Sequence, residues 1–229
     1  MNLILQTAGI SLFVQIVTAL IGLFGISLPL SPEHLILRDI LIMETIVQLI
    51  ELVYYIWLIY NFTSIQNNVT YTRYFDWVLS TPIMMITTAL YMKYRNIINE
   101  TNNTSEKSQL HFFPLLIESA PSIWTILLWN WGMLFFGFLG ERKVLSRNMG
   151  FVWGTFSFCA SFYILYTQFV GNDVINQYLF WFMFFFWGLY GIAYCFSYAA
   201  KNIMYNILDI FSKNFYGMFL FYEVRKASM

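Results

Sequence analysis

The stretch IMYNILDIFSKNFYGMFLFY, residues 203–222, is predominantly apolar and carries a lysine near its middle. A bilayer-spanning α-helix needs ~20 such residues, so this stretch predicts a membrane span. Lys213 lies about ten residues from either end, or ~15 Å at helical rise, too far for easy snorkelling to the interface. Asp209, at i−4, shares its helix face and can neutralise it. A lysine at that depth costs ~3 kcal/mol or more, which indicates a functional site.

Composition places the whole chain in a membrane. Of its 229 residues, 59% are hydrophobic, 21% aromatic and only 10% charged, whereas soluble domains carry ~25% charged residues. The formal net charge is zero, which argues against a nucleic-acid partner. Cys159 and Cys195 fall in apolar runs and are predicted to pack in the core rather than form a disulfide or a metal site. The first apolar run lacks a basic n-region and a cleavage site, which indicates a retained helix.

Seven apolar stretches recur along the chain, each long enough to cross a bilayer. They predict an all-α, seven-transmembrane-helix bundle in one domain, residues 1–229. The polar stretch Lys93–His111 is predicted to be a mobile loop, and Pro114 and Pro121 predict a kink in the fourth helix. The predicted spans are Leu3–Leu28, Leu35–Tyr60, Thr72–Met92, Phe112–Leu139, Asn148–Gly171, Ile175–Tyr198 and Asn202–Tyr222.

The distribution of lysine and arginine between the loops predicts the orientation. An outside N-terminus and a cytoplasmic C-terminus place the larger basic set inside. The inner set is Arg38, Lys93, Arg95, Lys107, Arg225 and Lys226, and the outer set is Arg142, Lys143, Arg147 and Lys201.

The third span opens with RYFDWVLSTP, from Arg73 to Pro82. Arg73 and Asp76 lie at i, i+3 on one helix face and can partly neutralise each other. With Asp209 and Lys213 they form a set of two cations and two anions. A buried polar cluster needs such neutrality, because an unpaired buried ion costs several kcal/mol.

These two motifs resemble those of the microbial rhodopsins: the Arg-Tyr-x-Asp-Trp-x-x-Ser-Thr-Pro run, and Leu-Asp-x-x-x-Lys at Leu208–Lys213. The resemblance implies all-trans retinal on Lys213 as a Schiff base. Asp76 would be primary counterion and proton acceptor and Asp209 second counterion, with Arg73 in the same cluster. Trp77 and Trp187 would sandwich the polyene, although Gly191 stands where many members have proline. The implied retinal pocket contains Trp77, Ser80, Thr81, Trp187, Tyr190 and Tyr194.

A proton pump needs a protonatable donor as well as an acceptor. A donor on the face of Asp76, three turns deeper, falls at Thr87, and threonine cannot donate a proton at physiological pH. On the outer side, Lys201 stands where pumps of this family often carry a release-group glutamate. Fast reprotonation through the third helix is therefore unsupported, and in a pump Glu44 or Glu51 would have to replace the missing donor.

Glu44, Gln48 and Glu51 form one continuous face in the middle of the second span. Buried glutamates are expensive and should line an aqueous or bundle-interior path that attracts cations. Interhelical hydrogen bonding is the alternative, and for Ser11 or Gln15 alone it is the preferred one. Neither glutamate is assigned to the Schiff base. The predicted ion pathway comprises Ser11, Glu44, Gln48, Glu51, Asn202 and Asn206, with Gln15 beside it.

This combination most resembles the viral rhodopsins of the light-gated cation channel group. The positions of this sequence that match the conducting path of that group are Glu44, Glu51 and Ser11. Three functions remain open: a light-gated cation channel, an outward light-driven proton pump, and a photosensor with a partner protein. No motif supports an enzyme, since His34 and His111 are isolated loop-edge residues. The expected partners are the lipid bilayer and cations, either protons or monovalent metal ions, and a homo-oligomer is compatible with the sequence.

Overall fold

The computed structural model describes residues 2–101 and 110–229. Within these residues the chain forms seven long helices and no strand, as the sequence predicts. The helices are α1 (Leu3–Ile26), α2 (Leu35–Ile65, after a 3₁₀ turn at Pro32–His34), α3 (Val69–Thr101), α4 (Phe112–Glu141), α5 (Arg147–Leu165, extended by a π-helical turn at Tyr166–Val170), α6 (Val174–Tyr194) and α7, which runs as Tyr198–Asp209, a π-helical turn at Ile210–Asn214, and Phe215–Ala227.

The third helix is longer than predicted and corrects the predicted loop. It reaches Thr101, so the first part of the stretch Lys93–His111 is helical. Two charged residues of this part bind neighbouring helices: Lys93 Nζ lies 2.8 Å from Glu118 on α4, and Arg95 pairs with Asp173 before α6. Residues 102–109 of the predicted loop lie outside the described residues.

The outer surface of the bundle is apolar. Large side chains such as Phe13, Leu20 and Ile117 are 62–73% exposed, as expected for residues that face lipid. Cys159 and Cys195 are free and also exposed, so the prediction that they pack in the core is wrong. Four helices meet length and hydropathy criteria for a membrane span by themselves: Leu3–Ile26, Pro32–Ile65, Phe112–Glu141 and Arg147–Val170.

Polar side chains satisfy backbone groups where the helices begin or are interrupted. Asn2, Ser146 and Asp173 each accept a hydrogen bond from a backbone N–H in the first turn of α1, α5 or α6, as N-caps do. Inside α3, Pro82 has no N–H to donate to the carbonyl of Val78. Trp131 Nε1 on α4 lies 3.3 Å from that oxygen and donates to it instead.

Consecutive helices pack side by side, and α7 closes the bundle against α1, α2, α3 and α6. The charged and amide residues of the chain's motifs therefore face inward, where α7 meets α1, α2 and α3. A π-helical turn interrupts α7 at Lys213. Such turns are rare and frequent at functional sites, because they change the direction of the side chains around them.

Candidate functional site

Lys213 lies at the centre of the bundle, with only 2% of its side chain exposed. Three carboxylates surround its ammonium group. Asp76 Oδ2 on α3 accepts a hydrogen bond at 2.6 Å, Glu51 Oε1 on α2 lies at 3.3 Å, and Asp209 Oδ1 lies at 3.8 Å. The predicted i−4 contact with Asp209 is present but is the longest of the three. The shortest ion pair is the one to Asp76.

Arg73 does not pair with Asp76 as predicted. Its guanidinium instead reaches α7, where Nη1 lies 3.3 Å from Asp209 Oδ2. Asn202 and Asn206 provide further acceptors, with Arg73 Nε 3.4 Å from Asn202 Oδ1 and Nη2 bonded to Asn206 Oδ1. The i, i+3 relation puts Arg73 and Asp76 on one face, but α7 lies against that face and supplies a partner to each.

Glu51 is the member of this cluster that the sequence argument placed elsewhere. With it, the cluster contains three carboxylates and two cations, instead of the predicted two and two. Both oxygens of Glu51 and Oδ1 of Asp76 are buried without a hydrogen-bond partner among the described residues. A neutral cluster then requires one proton on the carboxyls, because an uncompensated buried charge is costly. The i, i+7 spacing from Glu44 had already indicated that Glu51 faces the bundle interior.

Two tyrosines hold Asp209 in place. Tyr55 on α2 donates to Oδ2 and Tyr190 on α6 to Oδ1, each at 2.7 Å. Tyr190 also lies 2.7 Å from Ser212 Oγ, one residue before Lys213. Asp209 is thus oriented by α2, α6 and Arg73 together, whereas Asp76 has Lys213 as its near partner. The two aspartates are therefore not equivalent.

A cavity of 630 Å³ lies beside Lys213, between α3, α4, α5, α6 and α7. Its wall is largely aromatic, with Trp77 and Trp187 both in it, and Lys213 is part of the same wall. Of the predicted pocket residues, Ser80 lies outside this wall; it is fully buried and donates to the carbonyl of Asp76 at 3.0 Å. The other predicted pocket residues line the cavity: Trp77, Thr81, Trp187, Tyr190 and Tyr194.

The polar residues of α1, α2 and α7 continue from this cluster in both directions. Towards the Arg73 end, defined by the connections α2–α3, α4–α5 and α6–α7, Ser11 donates to the carbonyl of Asn206 at 2.5 Å. The Asn206 amide donates to Thr7 Oγ1 and to the carbonyl of Ile4. Ser11 and Asn206 therefore form a hydrogen bond between α1 and α7. Interhelical hydrogen bonding is the role that the sequence analysis preferred for Ser11 taken alone.

On the other side of Lys213, Asn214 joins three helices. Its amide nitrogen donates to Gln15 and Thr18 on α1 and to Gln48 on α2, at 2.7–2.8 Å. Gln48 Nε2 lies 3.1 Å from the carbonyl of Lys213. A Cβ on Gly217 would approach Gln48 Nε2 to 3.2 Å, so glycine makes room for the amide.

Glu44 lies one layer further, 0% exposed, between α2, α3 and α7. Its oxygens lie 3.5 Å from Gln48 Nε2 and from Thr87 Oγ1. Tyr216 donates to the same threonine at 3.2 Å. The residue in the donor position of α3, Thr87, therefore has a carboxyl group beside it, contributed by α2.

Glu223, Tyr91 and Arg95 mark the opposite end of the bundle, called the Glu223 end below. Tyr91 donates to Glu223 at 2.8 Å, and Arg95 Nη1 lies 3.8 Å from it. His34 is not isolated as predicted: its Nδ1 lies 2.7 Å from Tyr94 Oη. At the Arg73 end, Lys201 lies 2.5 Å from Glu141.

A seven-helix membrane bundle with a buried lysine between carboxylates and an aromatic cavity defines the class of protein. The family profile described as "Bacteriorhodopsin-like protein" matches residues 6–227. The chain therefore belongs to this family, the microbial rhodopsins, which are integral, multi-pass membrane proteins that bind retinal. Comparison with curated proteins found no match.

Solved structures agree with this assignment. The chain is similar to viral rhodopsin OLPVRII, with 28% identity and a TM-score of 0.81 over 98% of this chain and 99% of that one. Two more distant structures share the fold. They are blue light-absorbing proteorhodopsin from Med12 (18% identity, TM-score 0.72, 97% and 96% covered) and the proton pumping rhodopsin AR2 from the marine alga Acetabularia acetabulum (17%, 0.73, 99% and 96%).

The residues present fit a retinal chromophore. The cavity has aromatic and aliphatic walls suited to a flat polyene, and its volume lies within the ~300–1,000 Å³ of small-ligand sites. Among the described residues, Lys213 provides the one primary amine that lines it. Gly188 and Gly191 leave the α6 wall open, since an added Cβ at either would approach its nearest side chain, Phe158 or Phe151, only to 3.9 Å.

Proposed function

We propose that this protein, as one domain over residues 1–229, is a light-gated cation channel whose all-trans retinal is carried by Lys213. The observation that supports this most is a buried column of polar side chains that runs from the Arg73 end, past Lys213, to Glu44 and Thr87. Its layers are Asn202 and Asn206 with Arg73; Glu51, Asp76 and Asp209 around Lys213; Asn214 with Gln48; and Glu44 with Thr87.

Retinal bound at Lys213 supplies the absorption of visible light and an isomerisation beside the cluster. The protein's own residues do the rest. Asp76 and Asp209 hold the positive charge at the lysine nitrogen, and Asp76, with the shortest contact, is the proton acceptor. Trp77 and Trp187, which are 6–7% exposed and line the cavity, supply apolar aromatic surface for the polyene.

The column has the chemistry of a cation path. Carboxylates and amide oxygens replace part of a cation's hydration shell and favour cations over anions. We infer that the resting path is closed, because Asn214 crosses the column with bonds to Gln15, Thr18 and Gln48. Arg73 closes the other side through Asn202, Asn206 and Asp209. We infer that opening requires α7 to move relative to α1 and α2.

Current–voltage curves under illumination test the proposal. A channel current reverses sign when the cation gradient across the membrane is reversed, because the current follows the electrochemical potential. Glu44→Gln keeps the shape of the side chain but removes its charge, and should change photocurrent amplitude or selectivity. Wild-type photocurrents that never reverse with the gradient would contradict the channel proposal, whatever the variants do.

An outward proton pump is the second candidate, and the position of Glu44 is the observation that favours it. Glu44 lies 3.5 Å from Thr87, where a proton donor on α3 would be expected, and α2 can supply the carboxyl that α3 lacks. In a pump, Glu44→Gln should chiefly slow the return of the proton to the lysine nitrogen, and azide or lower pH should rescue it. Currents should then keep one direction over a wide voltage range.

A further inference from the structure

A second cavity, separate from the one beside Lys213, lies at the Arg73 end between the α4–α5 and α6–α7 connections. Its volume is 490 Å³. It is formed by helix ends and short loops, where the bundle meets the membrane surface. Its wall comprises Gly140, Glu141, Lys143, Val144, Leu145, Ser146, Arg147, Phe196, Ser197, Tyr198 and Lys201.

The wall of this cavity is positively charged. It contains Lys143, Arg147 and Lys201 against the single carboxylate of Glu141. Lys201 and Glu141 neutralise each other at 2.5 Å. Neither Lys143 nor Arg147 forms an ion pair with any carboxylate in residues 2–101 or 110–229. Two positive charges therefore remain in the wall, in a chain whose net charge is zero.

Two helix N-termini add to this positive potential. Ser146 and Arg147 start α5, and Ser197 and Tyr198 start α7. Ser146 caps its helix through Met149 N, but the side chain of Ser197 makes no capping bond. The first backbone N–H groups of a helix have no intrahelical acceptor, and together with the helix dipole they favour an anion.

The partial negative charge at the C-terminus of α6 does not offset this positive potential, because Arg147 binds the carbonyl groups there. Its guanidinium donates to the carbonyl of Tyr194 and, at 2.5 Å, to that of Phe196. Arg147 is thus fixed in the wall by its backbone partners while its charge stays uncompensated. A guanidinium held in this way loses little conformational freedom when it binds an oxyanion.

Tyr194, which lines the cavity beside Lys213, lies behind the wall of this second cavity. It is 5% exposed, and its hydroxyl has no hydrogen-bond partner among the described residues. The hydroxyl lies against Gly140, a wall residue, at a position that a Cβ would fill. The Arg147 guanidinium carbon and Lys201 Nζ are each 5.6 Å from the centre of its ring.

We propose that this cavity is a binding site for a phosphate-bearing anion, either the headgroup of an anionic lipid or a free phosphate ion. Both present the same tetrahedral oxyanion, which matches guanidinium and ammonium donors and helix N-termini. The site is distinct from the cation column, because none of its wall residues belongs to a layer of that column; Tyr198 and Lys201 only precede Asn202 on α7.

Phosphorus NMR on the full-length protein in detergent provides the direct test. Inorganic phosphate is titrated at constant ionic strength, and saturable line broadening is expected for the wild type. In Lys143→Gln/Arg147→Gln, the affinity should fall at least about tenfold, since hydrogen bonds to charged groups contribute that much or more. Arg225→Gln/Lys226→Gln, which removes two exposed cations at the Glu223 end, is the matched control and should leave it unchanged.

Glu141→Gln separates a specific loss of phosphate binding in the double variant from a loss caused by misfolding. It removes the only carboxylate that lines the described wall, so phosphate affinity should rise several-fold, a gain that misfolding does not produce. Unchanged or weaker binding in Glu141→Gln would contradict the proposal. So would equal affinities in the wild type and the Lys143/Arg147 double variant.

A second experiment, with lipid vesicles, identifies the source of the phosphate. The protein is purified from phosphatidylcholine vesicles with and without phosphatidylglycerol, and retained lipid is measured by native mass spectrometry. Phosphatidylglycerol retained by the wild type and lost in the Lys143/Arg147 variant supports a headgroup site. Saturable phosphate binding without retained lipid supports a soluble anion. The absence of both retained lipid and saturable phosphate binding would overturn the proposal.

Discussion

At the scale of single residues, the position of Glu51 changes the expected role of the second helix. It is 0% exposed and its carboxylate lies 3.3 Å from the Lys213 nitrogen. At an effective dielectric constant of about 20, an ion pair at this distance interacts by several kcal/mol. Glu51 therefore belongs to the cluster around the lysine as well as to the polar column. From the sequence, neither glutamate is assigned to the Schiff base, whereas in the structure Glu51 contacts the Lys213 nitrogen and Glu44 does not.

We predict that Glu51→Gln shifts the dark absorption maximum of the retinal-loaded protein to longer wavelength. The prediction takes Glu51 as ionised, with the one proton of the cluster on another carboxyl. The substitution then removes a negative charge 3.3 Å from the Lys213 nitrogen and destabilises the ground state, in which the positive charge is localised at that nitrogen. Absorption spectra of the purified pigment measure the shift. Glu44→Gln, the same substitution two turns away, is the control and should leave the maximum in place. Lys213→Ala should give no visible pigment.

Identical absorption maxima for Glu51→Gln and the wild type would contradict an ionised Glu51 beside the Lys213 nitrogen. Glu51 would then belong to the polar column alone. A visible pigment in Lys213→Ala would instead show that another amine carries the chromophore. The two outcomes are distinguishable, because the first leaves the Lys213 assignment intact.

The sequence could predict which residues enter the cluster but not how they pair. Helical spacing puts Lys213 and Asp209 on one face, and Arg73 and Asp76 on another. The pairs Arg73–Asp209 and Lys213–Asp76 depend on how α3 and α7 are rotated against each other, which spacing within one helix does not determine. Asn214 was not predicted, because a single asparagine beside a lysine has no distinguishing pattern.

At the scale of helices, α7 shows where periodicity fails. The π-helical turn at Ile210–Asn214 adds a residue to one turn, so that residues before and after it are displaced from their α-helical positions. This turn accompanies the 3.8 Å separation of Asp209 and Lys213 and directs Asn214 towards α1 and α2. Its sequence, Ile-Phe-Ser-Lys-Asn, carries no glycine or proline that would have predicted the interruption.

The Glu223 end is held by an ion pair between helices. Arg95 on α3 donates to Asp173, at the start of α6, at 2.8 Å. Asp173 also accepts from the backbone N–H of Asn176 and from Asn99. Burial alone would raise the pKa of Asp173, but these donors outweigh it and lower the pKa below its ordinary value of 3.8.

We predict that Asp173→Asn lowers stability at neutral pH by about 1–2 kcal/mol, because it removes the charge while retaining a good N-cap residue. A carboxyl with a lowered folded-state pKa stabilises the fold above its ordinary pKa, and this contribution is lost as pH falls through 4 and below. The wild type and the variant should therefore differ in thermal midpoint at pH 7 and converge near pH 3. Scanning calorimetry or tryptophan fluorescence at both pH values measures this difference.

A constant difference between the two proteins from pH 7 to pH 3 would contradict the role of the charge. It would assign the loss to packing around the N-cap.

At the scale of the whole molecule, the number and order of helices follow from the recurring apolar stretches. Their ends do not, because hydropathy falls at the membrane surface while helices continue beyond it. The third helix continues past Met92 to Thr101, with Lys93 and Arg95 bound to other helices. The exposed cysteines have a different cause: in a membrane bundle an apolar position faces lipid as readily as core.

The last prediction concerns orientation. The lysine and arginine distribution predicts that the Arg73 end faces outside and the Glu223 end faces the cytoplasm. Lys143 and Lys226 are exposed at these two ends, and each can be replaced by cysteine after Cys159→Ser and Cys195→Ser remove the exposed native thiols. A membrane-impermeant maleimide should label Lys143→Cys in intact cells, and Lys226→Cys only after permeabilisation. The cysteine-free parent protein is the control, and the reverse labelling pattern would invert the predicted topology and, with it, the direction assigned to the ion path.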